Sequence, residues 1–134
     1  MTNEIIQYYS RNAKNRGVLK DATIVHSEEN RACGEDVTVY LKIEDEKFVD
    51  FSFDGDLSII TTACSAVFWE SIIDQDITSV FEMWYEDIVE MIEMEVSPRR
   101  RRASVFALLA TRNAIHIYLK DGKEDTFEDV GIDY

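Results

Sequence analysis

Proline, glycine and cysteine are the scarce letters of this chain, with one, five and two copies among 134 residues. With so little proline and glycine, and no Gly/Ser-rich stretch, nothing reads as a linker, and no internal repeat is present. One domain is expected, long enough to bury a hydrophobic core without disulfides or a structural metal. The two cysteines, Cys33 and Cys64, are too few for a four-cysteine zinc site, and in a reducing compartment they are expected as free thiols. Basic residues are the other deficit: 14 Lys and Arg stand against 27 Asp and Glu, a net charge of -13. Such a surface repels a nucleic-acid backbone and an anionic membrane. No apolar run has the length of a membrane span, and the first residues lack the order of a secretion signal, so a cytoplasmic protein is expected. Also missing are a glycine-rich phosphate loop, H-E-x-x-H and a nucleophile elbow, which argues for binding and against catalysis.

What is present is periodicity. The opening NEIIQYYSRN puts Ile5, Ile6, Tyr8 and Tyr9 on a short helix, closed by the polar stretch Asn12 to Gly17. VTVYLKI from Val37 to Ile43 alternates, and after the turn-like EDEK so does FVDFSF, through Val49, Phe51 and Phe53. These two runs predict an antiparallel hairpin, and ATIV at Ala22 to Val25 a third strand. Leu57 to Ile73, nearly continuous in apolar and small residues, predicts a buried helix. Ser79 and Glu82 have the spacing of a capping box, which predicts a second helix from Val80 to Met94 with Phe81, Trp84, Tyr85 and Ile88 inward. After Pro98 a third follows, Ala103 to Leu119, with Val105, Leu108, Leu109, Ile115 and Leu119 at helical spacing. Trp69 and Trp84 are expected in the core or an interface. The acidic residues between Asp74 and Glu95 read as a solvated face, and Asp121 to Tyr134 as an acidic, loosely held tail after a domain ending near residue 120. Strands followed by helices give an α+β fold, a small antiparallel sheet of about three strands packed against helices.

Three short motifs stand in a telling order. QYYSRNAKNRG spans Gln7 to Gly17, ACGE spans Ala32 to Glu35, and GDLS spans Gly55 to Ser58 after the hairpin. A fourth stretch, SPRRRRAS, opens the last helix with the four arginines Arg99 to Arg102. From about Ile5 to Leu119 this series resembles the IscU/SufU/NifU N-terminal scaffold family, whose motifs are similar to HYxNPRNxG, ACGD and a GCxxS-type loop, followed by a His or Lys and a Cys at the last helix. The resemblance implies a SufE/NifU-like fold, cluster assembly or zinc binding through three cysteines and an aspartate, and a cysteine desulfurase as partner.

Mapped onto this chain, the implied ligand positions are Cys33, Glu35 in place of aspartate, and Asp56 and Ala103 in place of two cysteines. Arg102 stands for the His or Lys. Thiolates are soft ligands for iron and zinc, and carboxylates complete such sites only weakly. The resemblance therefore implies a candidate metal set of Cys33, Glu35 and Asp56 that holds zinc or iron weakly and supports no stable iron-sulfur cluster. His26 and His116 are candidate fourth ligands, although His116, deep in a helix, reads as structural. Cys64, two helical turns past Asp56, lies more than about 10 Å away along the axis and reads as a buried core thiol. Three readings stay open: a scaffold-like binding protein with impaired assembly, a mononuclear metal or sulfur-accepting protein using Cys33, and an interaction module without the site. A monomer or weak homo-oligomer is expected. The arginines are expected to sit near Glu35 and Asp56 and to form salt bridges where a metal would otherwise lie.

Overall fold

The computed structural model describes residues 3–132. Its order is helix α1 (Glu4–Arg11), strands β1 (Ile24–Asn30), β2 (Glu35–Glu44) and β3 (Lys47–Asp54), then helices α2 (Ile59–Ile72), α3 (Tyr85–Ile92) and α4 (Arg101–Leu119). Short 3-10 turns cover Ile77–Glu82, Pro98–Arg100 and Phe127–Val130. The sheet is antiparallel in the order β1-β2-β3. The α+β architecture and its three strands agree with the sequence. The third strand starts later and runs longer than ATIV.

Why the sheet is one-sided follows from β2, where every second residue from Glu35 to Ile43 is buried. β2 packs against α4, and Trp69 of α2 lies against Phe51 and Phe53 of β3, stacked on the first and tilted to the second, at ring distances of 5.6 and 4.8 Å. The indole N–H of Trp69 donates to the Thr111 hydroxyl at 3.0 Å, so the largest core ring also satisfies its polar atom. The hairpin turns through Asp45 and Glu46, both at positive φ, as a two-residue connection of this hand requires. One strand residue departs from the predicted alternation. The register shifts between Lys42 and Ile43, so Val49 is the extra residue of a bulge and Phe48, not Val49, is buried opposite Ile43. The outer edge of β3 is stitched to the loop after α1, where Gly17 N–H donates to Phe53 O at 2.8 Å and Phe53 N–H to Asn15 O at 2.9 Å. That edge is thus closed to pairing with another chain.

The predicted second helix is broken in two. Asp76, not Ser79, caps the 3-10 turn, its Oδ1 accepting from Thr78 N–H at 2.9 Å, while the buried Ser79 hydroxyl has no hydrogen-bond partner among the described residues. Met83 and Trp84 are extended, and α3 starts afresh with Asp87 accepting from Trp84 N–H at 2.7 Å. Two expected core residues face solvent as a result of their positions at element ends: Trp84 is 50% and Leu119 41% exposed. Of the segment expected to be loose, Asp121 to Tyr134, residues 121–132 fold back against α4, and Asp133 and Tyr134 lie outside the described residues. Val130 and Ile132 are buried, and Arg112 Nε holds Asp125 Oδ2 at 2.7 Å.

Candidate functional site

At one end of the sheet, the turn from Arg31 to Gly34 joins β1 to β2 and carries Cys33. The chain reverses there because Cys33 N–H donates to Asn30 O at 3.2 Å and Gly34 takes a φ of +67°. Cys33 is exposed and free. Beside it lies a hollow of about 430 Å³, lined by Cys33, Glu35, Ile59, Arg99, Arg100 and Ala103 among others. The sheet end, the start of α2 and the start of α4 therefore meet at one thiol. The close approach that allows this is made at Gly55, whose φ is +142° and where any Cβ would collide with the Asp36 carbonyl.

Glu35 is buried, and both carboxylate oxygens are engaged: Oε2 accepts from Ser58 N–H at 2.8 Å and Oε1 from the Thr61 hydroxyl at 2.9 Å. Its side chain finishes the cap of α2, which Ser58 begins by accepting from Thr61 N–H at 3.2 Å. A negative group at this helix start is also favoured by the helix dipole. Asp56 is exposed, is not among the residues that line the hollow, and touches Asp36 through its backbone. Among the described residues no group of three or more His, Cys, Asp or Glu is arranged to hold a metal ion. The donors present do not fit one well, because the single thiolate is joined by a carboxylate whose oxygens already accept from the protein. Ala103 is buried at the wall and offers no ligand atom.

The arginines divide by role. Arg99 and Arg100 line the hollow. Arg101 lies over the Tyr85 ring at 5.5 Å and donates from Nε to Val96 O at 3.3 Å, while Arg102 lies over Phe127 at 5.0 Å. The expected salt bridges to Glu35 are not formed, since Glu35 is satisfied by the α2 start instead. Cys64 lines a neighbouring cavity, is 1% exposed, and burial pushes its thiol up to about 12, so it is an inert core thiol at neutral pH. The histidines belong to a different cluster. His26 Nε2 lies 3.0 Å from Glu28 Oε1, and His116 Nδ1 lies 2.7 Å from Asp121 Oδ2, with Nε2 3.1 Å from Asp125 Oδ2. The capping role of Glu35 and the placement of Arg99 and Arg100 beside the hollow escape a sequence reading. Ser58 just ahead of the apolar run was the available signal for the cap, and nothing local says which of four adjacent arginines borders the hollow.

A three-stranded antiparallel sheet, backed by helices and bearing a free thiol where the sheet meets two helix starts, defines a small thiol-bearing α+β domain. Residues 1–125 match the model of the NifU-like N terminal domain, and the chain belongs to that family. It is 35% identical over 83 residues to the iron-sulfur cluster assembly scaffold protein IscU of Thermotoga maritima, a match covering 62% of this chain and 58% of that protein. The chain thus spans little more than half the length of that relative. It is 26% identical over 123 residues to IscU 1 of Archaeoglobus fulgidus, covering 91% of this chain and 80% of the relative. The fold is shared with the crystal structure of a putative iron-sulfur cluster assembly scaffold protein for the SUF system from Fervidobacterium islandicum, at a TM-score of 0.74 and 22% identity, over 84% of this chain and 95% of that one.

Proposed function

We propose that this protein is a divergent iron-sulfur scaffold-like protein that acts by binding, in the cytoplasm, with cluster assembly impaired. The observation that carries this reading is the hydrogen-bonded state of Glu35, whose two oxygens serve Ser58 and Thr61 and leave Cys33 as the one thiol at the hollow. Membership of a family with iron-sulfur assembly relatives supports a cysteine desulfurase as the partner. A cluster needs several thiolates to bridge and terminate it, and the positions that resemble the family's other cysteines hold Asp56 and Ala103. Purified protein reconstituted with iron and sulfide under reducing conditions is expected to retain no stoichiometric cluster absorbance after a desalting column. A cluster that survives the column at one per chain overturns the reading.

A second reading is favoured by the exposure of Cys33 beside Arg99 and Arg100: the thiol accepts sulfur. A Cys33 thiolate attacks the outer sulfur of a partner's cysteine persulfide, one S–S bond forms as another breaks, and the partner's thiolate leaves, with no net oxidation. Incubation with a desulfurase and cysteine, followed by intact-mass analysis, distinguishes the two: a gain of one sulfur on the wild type and none on Cys33→Ser supports sulfur acceptance. Metal analysis of untagged protein bears on a mononuclear site. A full equivalent of zinc lost in Cys33→Ser favours that site over both.

A further inference from the structure

Of the two outer edges of the sheet, that of β3 is closed by the loop after α1, and that of β1 is open. Successive residues of a paired strand send their backbone N–H and C=O alternately to either side. Asp36 N–H donates to Asp56 O on the β3 side, so Val37 and Val39 turn toward β1, where the register pairs them with Glu28 and His26. Val25, Ser27 and Glu29 therefore point their backbone groups outward, and none of these groups meets a hydrogen-bond partner among the described residues. On the helix side of this edge lies a hollow of about 250 Å³, lined by His26, Asn113, Ile117, Lys123 and Glu124. Its wall is open to contact: Ile117 is 50% exposed, and Lys123 and Glu124 are exposed too. Water satisfies the edge in the free protein, so openness alone selects no partner. Shape and charge do. A row of edge groups beside a side-chain pocket is the arrangement that receives an added strand, whose backbone bonds to the edge while alternate side chains enter pockets. β1 reads IVHSEEN, with Glu28 and Glu29 and no Lys or Arg. Like charges facing each other across strands are destabilising and opposite charges favourable. The edge thus disfavours an acidic strand, and a net charge of -13 opposes the approach of a second copy.

We propose that β1 is a docking edge for an extended, net-basic segment of a partner protein, which joins the sheet as a fourth strand and sets an aliphatic side chain in the hollow against Ile117. In an antiparallel pairing the partner residue opposite His26 turns toward the helices, and its two neighbours bond to the backbone of Val25 and Ser27. A Lys or Arg opposite Glu29 meets a carboxylate whose present contact is the exposed Arg31 at 3.2 Å. Lys123 and Glu124 at the hollow offset each other in charge, which leaves Ile117 to select an apolar side chain. The inference stands apart from the scaffold reading, since it needs neither Cys33, a metal nor a desulfurase.

Titration of the isotope-labelled whole chain with the acetylated and amidated peptide KTKITVK, followed by amide hydrogen exchange, tests it. Saturable binding is expected, with exchange slowed at Val25, Ser27 and Glu29 and unchanged at His26 and Glu28, which already pair with β2. That alternation separates strand addition from loose attraction of a basic peptide to an acidic surface. Alanine in place of the peptide's isoleucine withdraws three carbons from the hollow, and a loss of roughly tenfold in affinity is expected. The acidic peptide ETEITVE is expected to bind more weakly by roughly tenfold as well. Ile117→Arg, at a half-exposed position, sets a cation in the hollow and is expected to weaken KTKITVK by a similar factor; its fold is checked by circular dichroism, and the peptide changes decide if that variant does not fold. Four results would each overturn the proposal: no saturable binding at millimolar peptide, slowed exchange without the alternation, an acidic peptide that binds as tightly as the basic one, or the same amides protected by raising the protein concentration alone. The last would assign the edge to a second copy of this chain.

Discussion

Removing the Glu35 carboxylate strips two donors of their acceptor at once, the Ser58 N–H at the start of α2 and the Thr61 hydroxyl one turn on. Thr61 is fully buried, so its hydroxyl has no water to turn to. Glu35→Ala is expected to lower stability by about 1–3 kcal/mol, the usual cost of an orphaned buried polar group, and Glu35→Gln by less because an amide keeps an acceptor oxygen. Urea unfolding measures both. A loss in the alanine variant below about 0.5 kcal/mol, within the range of ordinary surface substitutions, removes the capping role and with it the argument that this carboxylate is unavailable to a ligand. At this scale the sequence was legible in part. The motif order picked out Cys33, Glu35 and Ala103, which share one hollow, yet it assigned Glu35 to a ligand set when its partners are on α2. Residue identity at a motif position says what a side chain can do, and its hydrogen-bond partners say what it is already doing.

Elements whose periodicity is long were legible: α1, the β2–β3 hairpin, α2 and α4 lie within a few residues of their expected bounds. The run from Val80 to Met94 was not, and the reason is a single non-local side chain. Arg112, on α4, donates from Nη1 to Met83 O at 3.1 Å while its Nε holds Asp125. It therefore secures the extended break between the 3-10 turn and α3 and also ties down the segment after α4. No window of local sequence contains both ends of that arrangement. Asn113 adds a reciprocal pair, donating from Nδ2 to Asp125 O at 3.1 Å and accepting from Asp125 N–H at 2.7 Å. Arg112→Ala leaves a mostly buried Asp125 carboxylate without its guanidinium, and a cost of roughly 3 kcal/mol is expected, with a smaller one for the double variant Arg112→Met/Asp125→Asn. Hydrogen exchange gives the element-level readout. Faster exchange at Ile132 N–H, which donates to Phe127 O, with α2 protected, is the expected pattern, whereas uniform loss of protection would mean that the segment has no separate docking step.

For the molecule as a whole, two electrostatic effects of opposite sign set the response to acid. A net charge of -13 makes the folded state repel itself, and that repulsion relaxes as carboxylates take up protons. Against it stand particular carboxylates stabilised by their native partners. The His116 hydrogen bond holds Asp121 below the usual carboxylate value of 3.8, Lys42 does the same for Asp21, and the Thr78 hydroxyl and N–H for Asp76. A carboxyl whose folded pKa is depressed adds stability above its unfolded pKa and loses it as pH falls through the folded one. These contributions are therefore intact from neutral pH down to about pH 4 and fail below it. At low ionic strength the thermal midpoint is expected to rise from pH 7 toward pH 5, where repulsion eases while the Asp contacts persist, and to drop below about pH 4. Adding salt at pH 7 is expected to raise it as well, because a Debye length of about 10 Å at 0.1 M screens charges spread over the surface more than pairs in contact. A midpoint that falls steadily from pH 7 to pH 5, together with indifference to salt at pH 7, would show that self-repulsion does not limit this fold. The exposed Asp21–Lys42 contact at 2.7 Å gives an internal control: Asp21→Asn is expected to shrink the drop below pH 4 without altering the rise above it.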